Sequence, residues 1–178
     1  MTLEELIIGL VRLLGSLPVL RWAFIGSLVA VLVDFSDLFM MNLLDFGGVR
    51  NYQSFDKWVD LTYMISFLVV SMRWSGVARR VALGLFGYRL VGLLLFEAVG
   101  WRGFLLVFPN VFEFWFIFVA GVKWLRPGYT ITAWAATKWM VPILILKESQ
   151  EYTLHWWRIL DQYRAVDVVT DWWAWLIG

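Results

Sequence analysis

The stretch Val81–Leu125, VALGLFGYRLVGLLLFEAVGWRGFLLVFPNVFEFWFIFVAGVKWL, decides how the chain is to be read. It contains two apolar runs, each long enough to cross about 30 Å of hydrocarbon as a helix. Between them Val99–Gly103 is too short for anything but a tight turn, so the runs must be antiparallel neighbours. One charge of each sign sits inside the pair: Arg89 and Glu113 each lie 12 positions from Trp101. Folding about Trp101 brings them to the same depth. An ionisable group at that depth costs roughly 2.5–3.5 kcal/mol on insertion scales, and a carboxylate suits the fork of a guanidinium. The sequence therefore predicts that Arg89 meets Glu113.

Working outward, further spans are expected at Val19–Leu44, Trp58–Trp74 and Tyr129–Leu146, besides Val81–Trp101 and Gly103–Leu125. Trp22, Trp58, Trp74, Trp101 and Trp124 fall near the span ends, where indole buries its ring and keeps its N–H wet. Trp115, Trp134 and Trp139 fall deeper. Residues 1–17 carry Leu3, Leu6, Ile7, Leu10, Val11 and Leu14 at helical spacing before Pro18, the pattern of a helix lying in the membrane interface. The tail, residues 147–178, is too polar to cross yet rich in tryptophan, and is expected to lie on the surface as two short helices. The fold class is thus all-α: a single polytopic membrane domain of about five transmembrane helices, residues 18–146, with an interfacial helix before it and an amphipathic tail after it.

Composition agrees. The 178 residues are 61% hydrophobic, 19% aromatic and 16% charged, whereas ordinary soluble domains are roughly 25% charged. Absence of cysteine excludes disulfides, thiolate metal sites and cysteine nucleophiles. A net charge of +1 offers no field to recruit nucleic acid. The acidic Glu4 and Glu5 replace the basic start of a secretory signal, so the first apolar span is expected to be retained. The single histidine, His155, cannot build a metal cluster alone, and neither metal nor cofactor is expected.

Two further groups of charges ask for an explanation. Lys138 and Asp34 fall inside the fifth and first spans, and with Arg89, Glu113 and Asn110 they make an expected intramembrane network; Pro109 frees a backbone carbonyl beside it. Asp34, Asp37 and Asp45 fall within about 80° of one another at 100° per residue, so they line one helix stripe. With Asp56, Asp60 and Glu97 they predict an acidic vestibule on one face.

Positive residues divide between the loops. Arg12, Arg21, Arg73, Arg79, Arg80, Lys123 and Arg126 fall on one side; Arg50, Lys57, Arg102, Lys147, Arg158 and Arg164 fall on the other. The dense Arg73, Arg79, Arg80 group points to a cytoplasmic N-terminus and an outer tail, in a membrane of the bacterial inner type. No nucleophile stands beside a base, and there is no phosphate loop or metalloprotease helix, so no enzyme activity is expected. The expected function is transport: a small channel or carrier for cations or protons, working as a homo-oligomer in the lipid bilayer. The competing expectation is a non-catalytic accessory subunit of a larger membrane complex, docked through its aromatic tail.

Overall fold

A computed structural model describes residues 2–36, 40, 52–101, 103–153 and 172–175. Among the described residues the protein is helical throughout, without strands. The helices are α1 (Leu3–Ser16), α2 (Ala23–Phe35), α3 (Tyr52–Ser71), α4 (Gly76–Val99), α5 (Gly103–Val107), α6 (Val111–Leu125) and α7 (Ala133–Glu151), with a 3-10 turn at Leu17–Leu20. A further helical turn covers 172–175. Asp37, Asp45, Arg102 and most of the tail lie outside the described residues.

Helix α1 starts from a capping box. Thr2 Oγ1 accepts from Glu5 N at 3.1 Å, while Glu5 Oε2 accepts from Thr2 N at 2.9 Å. Pro18 cannot continue the helix and opens the 3-10 turn. The chain reverses at Arg21–Trp22, and α2 returns antiparallel to α1. Gly26 makes the return possible: a Cβ there would strike the backbone of Pro18 and Val19. The N-terminal helix is therefore packed into the bundle rather than lying apart. Its buried stripe is Glu4, Glu5, Ile8, Arg12 and Ser16, one face at i, i+4 spacing. Its leucines point outward, Leu14 being 62% exposed.

Side-chain pairs give the direction of each helix. Along α1 and α3, Ser66 Oγ donates to Ser16 Oγ at 3.3 Å and Arg73 Nη1 to the Leu20 carbonyl at 2.9 Å, so these two run parallel. Helices α3 and α6 run parallel too, joined by stacked Phe67 and Phe116 with centroids 4.1 Å apart and by Trp74 against Phe116 at 5.1 Å. Helix α4 runs against α6, ending on Gly100, whose φ of 73° is the left-handed cap that glycine supplies. Helix α7 runs against α6 as well, since Phe118 meets Trp139 and Lys147 reaches Glu113. The start of α1 and the end of α7 consequently share one end of the bundle. The opposite end gathers Arg21, Trp22, Trp74, Lys123 and Trp124 around a cleft of about 290 Å³.

Among the described residues two segments are long and apolar enough to cross a membrane, Gly76–Val99 and Gly103–Leu125, and Ala23–Phe35 is a shorter apolar helix. The other expected spans carry more charge along their helices: Asp56, Lys57 and Asp60 in α3, and Lys138, Lys147, Glu148 and Glu151 in α7. The expected first span, Val19–Leu44, begins instead with the reversal at Arg21–Trp22. Gly103–Leu125 is broken: α5 stops at Val107 and α6 starts at Val111, with Pro109 in the interruption.

Candidate functional site

The interior holds two connected groups of polar side chains. The first is built on Arg12, only 3% exposed. Its stripe position on α1 aims it between α2 and α3. Arg12 Nη1 lies 3.0 Å from Asp56 Oδ1 and Nη2 lies 2.5 Å from Asp60 Oδ1, and an ion pair joins it to Asp34 across the α1–α2 hairpin. Lys57 Nζ adds a second cation, 2.6 Å from Asp56 Oδ2 and 3.7 Å from Asp60 Oδ2. Two cations thus face three carboxylates. The carboxylate oxygens of Asp34, Asp56 and Asp60 come within 4.8 Å of one another, a hard-oxygen set of the kind that can hold a cation. Here the guanidinium already supplies the positive charge between them.

The second group surrounds Glu113, buried in the first turn of α6, where the positive end of the helix dipole favours a carboxylate. Glu113 Oε2 accepts from Tyr63 OH and from Asn110 Nδ2, both at 3.2 Å, and Lys147 Nζ lies 3.6 Å away. Asn110 Nδ2 also donates to Tyr63 OH at 2.9 Å. Lys147 donates to Gln150 at 2.9 Å and covers the ring of Phe114. Asp60 and Tyr63 stand one turn apart on α3, so that helix connects the two groups. Tyr63 lies in the electrostatic field of Asp60, Arg12, Glu113 and Arg89 together.

Arg89 does not meet Glu113. The hairpin folds nearer Val99–Gly100 than Trp101, bringing Phe86 against Phe112, their ring centroids 5.5 Å apart, and Arg89 opposite the helix break. There Arg89 Nη1 donates to the Phe108 carbonyl at 2.8 Å, and Tyr88 OH bonds the Val107 carbonyl, so two α4 side chains satisfy the end of α5.

Lys138 is also placed otherwise than expected. It is exposed on α7, outside both groups, about 8 Å from the start of the helix at Ala133. Asp34 and Asp60, expected in an open acidic vestibule, are instead gathered on Arg12; Glu97 is exposed near the end of α4. Of the three deep tryptophans, Trp115 is buried and donates to the Ala78 carbonyl at 3.2 Å, while Trp134 and Trp139 are exposed. Sequence reading missed Arg12, Tyr63 and Lys147 as partners. A signal existed for two of them: Arg12 and Asp34 are each 11 positions from Ala23, and Glu113 and Lys147 are each 17 from Thr130.

The chain matches no protein-family model, no curated protein and no solved structure. The geometry alone carries the functional reading.

Proposed function

We propose that this chain is a polytopic helical membrane protein that serves transport, moving protons or cations along the buried polar groups. The observation that carries the reading is charge buried in the bundle beneath an apolar exterior: Arg12, Arg89 and Glu113 are buried while Leu14, Leu32 and Leu125 stand on the outside. Water as solvent would favour the reverse, and lipid as solvent accounts for both halves. A helix broken beside buried charges is what transport folds use at their binding sites, because unwound backbone is tolerated only where it is covered by protein or lines a cavity.

Helix α1 with its 3-10 turn measures roughly 29 Å, enough for a crossing of its own. We therefore count six passes where the sequence suggested five: α1, α2, α3, α4, the broken α5–α6 and α7. The end bearing Arg21, Arg73, Lys123 and the tryptophans fits the cytoplasmic side, and the start of α1 then lies on the other side together with the end of α7. The bundle is small, and a homo-oligomer fits the role. No catalytic chemistry is assigned to it.

The test is flux. Purified protein in liposomes should carry protons or monovalent cations without a partner, and Glu113→Gln, compared at equal amounts of folded protein, should remove most of that flux. Liposomes that stay tight with correctly folded protein would defeat the reading. A second reading draws on the outer face of α7, where Lys138 stands between exposed Trp134 and Trp139. That face suits an accessory subunit held against a larger membrane complex, in which case gentle detergent extraction yields stoichiometric partners and flux is absent from the isolated chain.

A further inference from the structure

We infer that the helix break at Phe108–Asn110 is a binding site for a small carboxylate carrying a hydroxyl or amino donor. The inference deepens the transport reading, and rests on it for the ligand's passage, by naming a substrate class for the break. Four observations meet there. Arg89 is 98% buried and hydrogen-bonds through Nη1 alone, to the Phe108 carbonyl. Among the described residues no carboxylate oxygen lies within 4.0 Å of its nitrogens. Its Nε is buried and unpartnered, so the Nε–Nη2 edge, two parallel donors, is left for a ligand. At the same break Asn110 Oδ1 is buried with no donor, and no side chain caps the start of α6.

The local charge points the same way. Among the described residues Arg89 brings a positive charge to the break with no carboxylate in contact, and the positive end of the α6 dipole adds to it. A buried guanidinium without a counter-ion is costly, and an anion at its open edge removes most of that cost. A carboxylate matches the edge in bidentate fashion. Asn110 Oδ1 would repel a bare halide, whereas a hydroxyl or amino group beside the carboxylate would satisfy it.

Binding is measured on the full chain in lipid nanodiscs by tryptophan fluorescence and thermal stability, titrating L-lactate, L-alanine and propionate, with chloride as the ionic control. Expected is a saturable change with a carboxylate, none with chloride, its loss in Arg89→Gln, and affinity weakened by about tenfold or more in Arg89→Lys, which keeps the charge and loses the fork. The Lys variant keeps the test decisive should the Gln variant misfold. No response to any of the three carboxylates, a response retained in folded Arg89→Gln, or an equal response to chloride would each overturn the site. Binding without liposome flux would fault the transport reading and leave the site standing; flux without binding would do the reverse.

Discussion

Arg12 shows how much one side chain decides. It reaches carboxylates on two other helices, and nothing else in the first group spans α1, α2 and α3 together. Removing one partner of a buried ion cluster leaves the others uncompensated, at a cost of about 3–5 kcal/mol. Arg12→Gln should therefore lower the free energy of unfolding by that amount, read from titration of micellar protein with SDS; an unchanged midpoint would mean that Arg12 is solvated. The helical spacing of the leucines in α1 is plain in the sequence, which counts Arg12 only among the loop cations. A periodic pattern says that a helix has two faces, and it does not say which solvent each one meets. Lys147 was missed for a related reason, since polar Glu148–Glu151 behind it made the position look like the start of a surface tail, whereas α7 runs on to Glu151.

At the scale of elements, the α4 to α6 hairpin was legible as a hairpin and misread in register. Equal spacing from Trp101 assumed two unbroken helices. The interruption at Phe108–Asn110 and a fold point near Val99–Gly100 instead set Phe86 opposite Phe112 and turned Arg89 onto the end of α5. Pro109 marked where the helix would yield but not how far the register would move. The α1–α2 reversal was hidden inside one apolar run, because Pro18 and Gly26 carry no hydropathy signal that separates a tight hairpin from a continuous span. Gly26 provides a test of that hairpin. Gly26→Ala forces a methyl group into the backbone of Pro18–Val19 and should destabilise by about 1–3 kcal/mol. Gly9→Ala, on the same hairpin with open space around it, should be neutral or stabilise by up to about 1 kcal/mol. Equal effects in the same unfolding assay would remove the close approach.

At the scale of the whole molecule, composition alone was enough to expect helices in lipid. With 16% charged residues spread over 178 positions, a water-facing surface could not be assembled. What composition could not give was the placement of those charges, since an exposed loop and a buried network use the same residues. The burial of Arg12, Arg89 and Glu113, with leucine outside, is the property on which the transport reading and the carboxylate site both depend.

That property can be measured directly, because a chain without native cysteine accepts a single label cleanly. Leu14→Cys, on the outward face of α1 just past Arg12, carries a nitroxide in the protein reconstituted into liposomes. The account predicts that the label collides freely with dissolved oxygen and scarcely with a water-soluble nickel chelate, as a side chain in hydrocarbon does. A label that the chelate relaxes as readily as oxygen would place α1 in water and contradict the account.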